Sequence, residues 1–428
     1  MTNHSYPDPG DSLAIARWLG QLDRRLEDRK SQGLFRTRIP LVAISPTEIL
    51  WQGRPIISFG SNDYLGLSWH PAVRSTAAEA IDAGQRWGSG ASGHVTGYTA
   101  VQQKLEEAIA QWLGTERCIV FGSGYAANLA TLSALVGKED RVFSDQLNHA
   151  SLIDGCRLSR AIVSIYPHGD VEQLQRLLEG GEGSEGQSWI ITDSVFSMEG
   201  DLAPLERLAD LAERLGTLMM VDEAHATGVI GPEGRGAIAE AGLERKVAVH
   251  LGTLSKAFGG VGGFVAGKRQ MVEAIEQWGR AVIYSTAPPA ASAAAALAAL
   301  PLLRQMEPQR QQLRQLAVDL RERLVGDGWS VVTGSLPIVA VQVGDPLLAS
   351  NLSQALLDDG FWVPAIRPPT VPQGKAMLRI SLSAEHRWDQ IEAFCDRLAI
   401  RRSIAKKGEI REIGFESGIY RRNNESKD

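Results

Sequence analysis

The amino-acid sequence predicts an α/β fold, in which helices flank a mainly parallel sheet and a smaller α+β domain follows near the C-terminus. Short apolar runs alternate with amphipathic segments between residues 118 and 266, as expected where helices connect parallel strands. After Ala287 the pattern changes to long helices with a few short strands. We therefore expect a large sheet domain first and a second, smaller domain after it.

The N-terminal part predicts an arm that precedes this sheet. Residues 12–38 have leucines at helical spacing and then a loop, and residues 44–59 alternate as a hairpin does, with Gln52 and Gly53 as its turn. Helices are predicted over 73–85 and 101–113, and a glycine-rich segment lies between them.

The central part predicts most of the large sheet. The expected strands are 118–121, 141–144, 161–166, 189–193, 218–222, 247–251 and 263–266. The expected helices are 125–135, 149–157, 171–178, 204–215 and a crossover over 233–244, and 180–187 is expected to be a polar loop.

The C-terminal part predicts helices over 290–300, 309–326 and 347–359, with strands near 330–332, 338–343 and 378–382. The residues after Arg401 are charged and poor in apolar side chains, which indicates a flexible tail. The expected division is an N-terminal arm (1–58), a large α/β domain (59–289), a small α+β domain (290–400) and a tail (401–428).

Composition excludes several classes of protein. The 428 residues include 44 basic and 50 acidic side chains, and this balance argues against nucleic acid as the main partner. The three cysteines lie far apart, without metal-ligand spacing, so we expect a reduced, cytoplasmic protein that holds no metal. No signal peptide is recognisable, and the alanine-rich run after residue 287 is too weakly hydrophobic to span a membrane.

Two segments carry the strongest chemical signal. The apolar run 218–221 ends at Asp222, with His225 three residues later, and the next apolar run leads to Lys256. Acidic residues at the carboxyl ends of parallel strands lie where open sheets bind ligands. Lysine forms a Schiff base with the aldehyde of pyridoxal 5′-phosphate (PLP), whose ring nitrogen needs a carboxylate partner. Alone, Asp222 or Lys256 would be read as a helix cap or a surface lysine; together they indicate a PLP site.

Two glycine-rich segments compete as phosphate-binding sites. Residues 88–93, GSGASG, match a dinucleotide-binding pattern, but a polar helical segment precedes them where a strand is needed, so we reject this interpretation. Residues 121–128 follow a strand and open a helix, where the backbone N–H groups of Gly124 and Tyr125 could bind phosphate. An ordinary strand-to-helix turn is about equally compatible with that segment alone.

With these residues in place, the chain resembles the α-oxoamine synthase family, PLP enzymes of fold type I, from about residue 22 to 398. The matching segments are SFGSNDYLGLS (58–68), GSGASGHVTGY (88–98), SDQLNHASLIDG (144–155), TDSVFSMEGDLAPL (192–205), VDEAHATG (221–228), GTLSKAFGG (252–260), IYSTAPPA (283–290) and IRPPTVPQGKAMLRISL (366–382).

The resemblance implies a role for each matched residue. Lys256 would bind PLP and later act as the base at the substrate α-carbon, and Asp222 would pair with the ring nitrogen. His149 would stack on the PLP ring and also contact substrate. His225 and Ser197 would contact the ring hydroxyl oxygen. The phosphate would be bound by Thr253 with Gly124 and Tyr125, and Thr286 would reach the phosphate of a partner subunit. The implied substrate contacts are Asn62, Arg379 for a carboxylate, Thr370 and Arg36, with Arg38 as the alternative to Arg36.

The resemblance also implies a reaction and its partners: a homodimer with shared active sites that condenses L-alanine with a pimeloyl thioester, on coenzyme A or acyl carrier protein, with loss of CO2. Ser92, Gly93 and His94, together with IRPPTVP (366–372), favour this member of the family. The main alternative is a relative that joins glycine to a short acyl-CoA. An aminotransferase or lyase of the same fold, or a non-catalytic member, remains a rival interpretation.

Overall fold

The computed structural model describes residues 12–83, 87–180 and 186–406. Its strands are β1 (Val42–Ala43), β2 (Glu48–Trp51), β3 (Arg54–Ser58), β4 (Arg117–Phe121), β5 (Arg141–Asp145), β6 (Ile162–Tyr166), β7 (Ser188–Asp193), β8 (Leu218–Asp222), β9 (Val249–Thr253), β10 (Gly263–Gly267), β11 (Ile338–Gly344), β12 (Phe361–Trp362), β13 (Ala365–Ile366) and β14 (Ala376–Ser381).

Its helices are α1 (Leu13–Ser31), α2 (Pro71–Asp82), α3 (Ala100–Leu113), α4 (Gly124–Leu135), α5 (Ala150–Ser159), α6 (Val171–Glu179), α7 (Leu205–Arg214), α8 (Ala237–Glu240), α9 (Arg269–Trp278), α10 (Arg280–Ile283), α11 (Ala290–Gln305), α12 (Glu307–Gly326), α13 (Pro346–Asp358) and α14 (Trp388–Lys406). Short 3-10 turns lie at Leu67–Trp69 and Pro232–Gly234, and Gly93–Gly97 forms a π turn.

The centre of the molecule is a mainly parallel sheet with the strand order β4-β10-β9-β8-β7-β5-β6. The pairs β8–β9, β7–β8, β5–β7 and β5–β6 are parallel, and β10 runs antiparallel to both of its neighbours. Strands β5, β7, β8 and β9 thus point their carboxyl ends at one edge of the sheet, and the predicted fold class is confirmed.

Neighbouring residues of one strand belong to different cores, which shows that both faces of the sheet are covered. In β7, Ile190 packs in one apolar cluster and Ile191 in the other, and Met219 and Met220 of β8 divide in the same way. Strands buried on both faces read as continuous apolar runs, which is why the sequence reveals them so clearly.

The N-terminal hairpin has the predicted turn, because Gln52 and Gly53 both have positive φ, 49° and 77°. Its second strand, β3, pairs in parallel with β12 from the far end of the chain. The hairpin therefore shares a sheet with the C-terminal part of the chain, whose other strands form the sheet β11-β14-β13. The division into four domains stays a prediction.

Two predicted elements are wrong. The helix expected over 233–244 is reduced to α8, because Glu233 and Gly236 have φ values of 55° and 101° that no helix accommodates. The strand expected at 330–332 is a single bridge between Val331 and Val341. The strand expected over 247–251 is present, but it lies two residues later, as β9 (Val249–Thr253).

Helix ends also differ from the prediction. Helix α11 continues through Pro301 to Gln305, and α14 continues past Arg401 to Lys406. Sequence analysis did not identify α9, α10 or α14, although Ile391, Phe394 and Leu398 are fully buried at helical spacing in α14. Residues 407–428 of the predicted tail and part of the predicted 180–187 loop lie outside the described residues. Within the described ranges, no helix is both long enough and apolar enough to cross a membrane.

The turn after β9 passes very close to another backbone segment. Gly259 has a φ of 66°, and a Cβ atom at this position would overlap the backbone of Leu67 and Ser68. Gly53 has a similar φ of 77°, but a Cβ atom there would meet nothing within 4 Å. A comparison of alanine substitutions at these two glycines therefore separates the energetic cost of positive φ from the energetic cost of close packing.

We expect Gly53→Ala to lower the free energy of unfolding by about 1–2 kcal/mol, the cost of a left-handed alanine. Gly259→Ala should cost about 1–3 kcal/mol more, because the added methyl group overlaps backbone that cannot move away by rotation. Urea unfolding of both variants measures the difference. Equal losses of stability would contradict this close approach.

Candidate active site

Asp222 and Lys256 lie at the ends of neighbouring parallel strands. Asp222 is the last residue of β8 and is paired with Leu251 of β9, and Lys256 follows β9 by three residues. Asp222 is 6% exposed, and Lys256 is partly buried. The charge of Asp222 acts on the Lys256 amine, so the structure brings the two predicted groups together.

Two donors hold the Asp222 carboxylate. Its Oδ2 accepts a hydrogen bond from Asn128 Nδ2 at 2.7 Å, and its Oδ1 accepts one from the backbone N–H of Ala224 at 2.8 Å. Asn128 comes from α4, so the helix that follows β4 orients the carboxylate of β8. A buried carboxylate requires such donors, and these two set the direction of its oxygens.

A hydrogen-bonded chain starts at Lys256. Its Nζ lies 2.9 Å from His225 Nε2, and His225 Nδ1 lies 2.6 Å from the hydroxyl of Tyr64. Burial and the nearby Lys256 charge hold the pKa of His225 well below its usual range, so the ring is neutral. With the ring proton on Nδ1, Nε2 accepts a hydrogen bond from the lysine and Nδ1 donates one to Tyr64.

The chain continues from Tyr64 to the predicted carboxylate-binding arginine. The Tyr64 hydroxyl donates to Asn62 Oδ1 at 3.3 Å, and the same oxygen accepts from Arg379 Nη1 at 3.2 Å. Arg379 also donates through Nη1 to Ser381 Oγ at 2.6 Å and through Nε to the backbone carbonyl of Ser197, also at 2.6 Å. These bonds place a guanidinium that is 6% exposed at the far end of the chain from Lys256.

The Lys256 amine is easily deprotonated for a lysine. Burial lowers its pKa to about 8, the positive charge of Arg379 adds to this effect, and the carboxylates of Asp222 and Asp193 oppose it. A neutral amine is the form that attacks an aldehyde, so this environment favours the reactive form of the Lys256 amine.

His149 is held at the N-terminus of α5. Its Nδ1 lies 2.6 Å from Ser151 Oγ, and its backbone N–H donates to Asp193 Oδ2 at 2.7 Å. Ser151 Oγ also accepts from Asn128, so His149 and Asp222 share one polar network. Burial lowers the pKa of His149, with the Asp222 charge opposing this shift, which leaves a neutral ring.

The predicted phosphate site lies at the N-terminus of α4. Ser123 caps the helix by accepting from Ala126 N, and the N–H groups of Gly124 and Tyr125 have no partner within the helix. A Cβ atom added to Gly124 would lie 3.6 Å from Oγ1 of Thr253, so these two residues face one another. The Tyr125 hydroxyl bonds to the carboxylate of Asp154.

Three predicted residues lie away from this cluster. Arg36 Nη2 donates to Thr370 Oγ1 at 3.2 Å and to the carbonyls of Arg367 and Pro368 at 3.3 Å each. Arg36 and Thr370 thus contact one another, between the segment after α1 and the loop before β14. Thr286 is exposed, on the segment between α10 and α11. Ser197 contacts Arg379 through its backbone carbonyl.

Sequence analysis missed Tyr64, Asn128 and Asp193. Asp193 ends β7 as Asp222 ends β8, a pattern that could have been noticed; burial and the Asp222 charge raise its pKa well above the usual range. Asn128 is an amide side chain in a helix of mainly small and apolar residues, which is also a signal. Tyr64 has no local signal, because its partner His225 lies 161 residues later.

The donors and acceptors fit PLP. A buried carboxylate, an amine with a lowered pKa and a helix N-terminus match the ring nitrogen, the aldehyde and the phosphate of that cofactor. The neutral rings of His149 and His225 add no competing charge. The dinucleotide interpretation of residues 88–93 fails, because α2 rather than a strand precedes them.

Comparison with known proteins agrees with this geometry. A family model described as aminotransferase class I and II matches residues 54–398. The 8-amino-7-oxononanoate synthase of Aromatoleum aromaticum is 44% identical over 381 residues, 89% of this chain and 98% of that one. The enzyme of the same name from Acidithiobacillus ferrooxidans is 47% identical over 355 residues, 82% and 90% of the two chains.

Solved structures show the same fold. Serine palmitoyltransferase from S. paucimobilis with bound PLP–myriocin is 32% identical and superposes with a TM-score of 0.85, covering 92% of this chain and 100% of that one. An 8-amino-7-oxononanoate synthase from Francisella tularensis, also 32% identical, gives a TM-score of 0.72 and covers 82% and 99%. The cofactor is PLP. The chain belongs to the class I and II aminotransferase family of PLP enzymes, and within it to the α-oxoamine synthases, which are acyltransferases.

Proposed function

We propose that this protein condenses L-alanine with a pimeloyl thioester, giving 8-amino-7-oxononanoate, CO2 and the free thiol carrier in biotin biosynthesis. The α-carbon of alanine loses its proton and bonds to the acyl carbon, and the C–S bond breaks, so that the thiolate leaves and takes up a proton. The alanine carboxyl group then leaves as CO2, and a proton returns to the α-carbon. One observation carries the proposal: a single hydrogen-bonded chain joins the Lys256 amine to the buried guanidinium of Arg379. A site for an amino-acid substrate needs both a reactive group and a group that binds the substrate carboxylate.

Each part of the site would hold one part of the cofactor. Asp222 would pair with the ring nitrogen, His149 would stack on the ring, and the N-terminus of α4 with Thr253 would bind the phosphate. His225 and Ser197 would contact the ring hydroxyl oxygen. When bound, PLP supplies an aldehyde for the amine of the substrate and a ring that accepts the electron pair left at the substrate α-carbon.

Lys256 would move the proton of the reaction. Once the alanine amine has displaced it, the ε-amine is free, and its lowered pKa makes the neutral form available near pH 8. That neutral form takes the proton from the alanine α-carbon and can return it to the product. In the structure, the lysine donates a hydrogen bond to His225 Nε2, and this contact fixes the position of the free amine before the cofactor binds.

Arg379 would bind the alanine carboxylate. Its hydrogen bonds to Ser197, Asn62 and Ser381 use Nε and Nη1, so we assign Nη2 to the substrate. Charge-assisted bonds from arginine to a carboxylate are strong and directional, and Asn62 and Ser381 hold the guanidinium plane for them. Binding the carboxylate also fixes which bond at the α-carbon can break.

Arg36 and Thr370 would contact the acyl substrate. The bond between them favours Arg36 over Arg38, because Arg36 is the arginine that contacts Thr370 in the structure. An arginine held by backbone carbonyls at the surface suits an anionic acyl substrate, whether the thioester is carried by coenzyme A or by acyl carrier protein.

The proposal is tested by product analysis. Purified holoenzyme should form 8-amino-7-oxononanoate, CO2 and free thiol from L-alanine and pimeloyl-CoA, measured by mass spectrometry and thiol release. Glycine and shorter acyl-CoAs are the matched alternative substrates. Faster turnover of glycine with a short acyl-CoA would replace this assignment by the alternative condensation.

The pKa of Lys256 predicts how PLP is taken up by cofactor-free protein. The rate of Schiff-base formation should rise with pH through about 8 and then level, because the neutral fraction of Lys256 limits it. If Lys256 had the ordinary lysine pKa, the rate of Schiff-base formation would keep rising up to pH 10.5. Stopped-flow absorbance measures this profile.

Lys256→Ala is the control for that measurement. It should bind PLP without a covalent bond, so borohydride leaves no label, and should lower kcat at least about a hundredfold. In the unaltered protein, a pH–rate profile with its midpoint near 10.5, or a borohydride label on another residue, would contradict the assigned role of Lys256.

Exposed apolar side chains on neighbouring segments support a homodimer. Trp87, Val95, Trp278 and Tyr284 are each at least 65% exposed. The backbone N–H of Ala287 donates to the carbonyl of Ala91 at 3.0 Å, which joins two of the segments that bear them. Exposed apolar patches of this kind mark protein interfaces.

Sedimentation of the holoenzyme should therefore give twice the mass of one chain. Thr286, two residues after Tyr284, would reach the phosphate bound by the partner, so Thr286→Ala should weaken PLP binding without dissociating the dimer. A fully active monomer would be incompatible with the shared active site.

A further inference from the structure

His168 lies outside the residues assigned above and is bonded to two acidic side chains. Its Nδ1 is 3.0 Å from Asp145 Oδ1, and its Nε2 is 2.8 Å from Asp201 Oδ2. Its ring lies edge-on to Phe196, with the centroids 4.3 Å apart. Both ring nitrogens must carry protons to donate to two carboxylates, so this geometry requires the imidazolium form.

The charge of His168 is stable at neutral pH. Burial alone would lower its pKa, but the hydrogen bonds and charges of Asp145 and Asp201 outweigh burial and raise the pKa to about 10. Glu199 is a third acidic group affected by this cation. A single positive charge therefore balances the acidic groups of this corner of the site.

On one side, His168 fixes the turn that leads to His149. Asp145 is the last residue of β5, and its carboxylate also accepts the backbone N–H groups of Leu147 at 2.8 Å and Gly169 at 2.9 Å. The turn from Asp145 then enters α5 at His149. The position of Asp145 is thus set by three separate donors.

On the other side, His168 bonds to the loop 195–202 through Asp201. The Asp201 carboxylate has fewer hydrogen-bond donors than that of Asp145 within the described residues. Asp201 accepts His168 through Oδ2, while its Oδ1 is buried and makes no hydrogen bond in the described part of the chain. The backbone of this loop is closed by bonds from Phe196 N to Asp201 O at 3.0 Å and from Gly200 N to Phe196 O at 2.9 Å. The loop carries Ser197, whose carbonyl accepts Arg379 Nε.

We propose that His168 is a positioning residue for Arg379: its bond to Asp201 holds the loop 195–202 so that the Ser197 carbonyl orients the guanidinium for the carboxylate of the amino-acid substrate. This inference rests on the proposed function, because it requires Arg379 to bind that carboxylate. Without the imidazolium, the carboxylates of Asp145 and Asp201 lose their shared cation, and the loop loses the side-chain bond that the Asp201 carboxylate makes within the described residues. The amine-binding part of the site, Lys256 with His225, keeps its own contacts.

The test compares two amines that differ only in the carboxylate. L-alanine and ethylamine are titrated separately into holoenzyme without acyl donor, and binding is read from the visible spectrum of PLP. His168→Gln and Asp201→Asn should each weaken L-alanine binding about tenfold, the loss expected for a misaligned charge-assisted bond, and leave ethylamine binding within about twofold. General damage to the site would weaken both ligands equally.

Two variants calibrate the comparison. Arg379→Ala should show the same pattern with a larger loss for L-alanine, and His70→Gln, which removes a helix-capping imidazole of α2, should change neither ligand. If His168→Gln does not fold, Asp201→Asn carries the test, because it keeps the shape of the loop and removes only the charge.

The outcomes separate the two hypotheses. Unchanged L-alanine binding in both variants, or equal losses for L-alanine and ethylamine, would overturn the role of His168 and leave the proposed function intact. Failure of the proposed function has a different signature: the unaltered holoenzyme would bind ethylamine as tightly as L-alanine, and the inference would fall with it.

Discussion

Burial of one lysine beside a neutral histidine is the interaction on which the site depends. An amine is a nucleophile only in its neutral form, and the burial that lowers the pKa of Lys256 to about 8 also keeps His225 uncharged. A neutral imidazole can then accept from the amine at one nitrogen and donate to Tyr64 at the other. The same desolvation therefore prepares the nucleophile and starts the hydrogen-bonded chain that ends at Arg379.

The parallel sheet makes this arrangement possible. Strands β5, β7, β8 and β9 end at one edge of the sheet, and Asp145, Asp193, Asp222 and Thr253 are their last residues. Three carboxylates so close together would repel one another if each were left unpaired. The surroundings of the three carboxyl groups differ: Asp145 is bonded to a histidine cation, and Asp222 accepts from two amide donors. Asp193 accepts the backbone N–H of His149, and burial with the Asp222 charge raises its pKa, which favours its neutral form. One edge can then present an anion to a ring nitrogen without accumulating charge.

Much of the fold follows from local patterns. The strands of the large sheet are apolar runs bounded by turns, and the turn at Gln52 and Gly53 needs only positive φ at two positions. Predictions failed where the backbone conformation depends on distant contacts. The helix expected over 233–244 is broken at Gly236, and the buried carboxylate of Glu223 accepts the backbone N–H of Ile238 beyond the break. A polar tail was expected after Arg401, but the helix continues because its earlier turns are buried against the core.

The sequence by itself determined the fold class and the cofactor, and it predicted the residues of the site: Lys256, Asp222 and His225 stand in motifs whose spacing is readable without coordinates, since strand ends and turns are local features. Only the tertiary structure decided how these groups are held. Tyr64 meets His225 across 161 residues, Asn128 reaches Asp222 across 94, and Arg379 reaches the Ser197 carbonyl across 182. Such contacts depend on how strands and helices pack, and a single sequence carries no local signal for a hydrogen bond between residues so far apart.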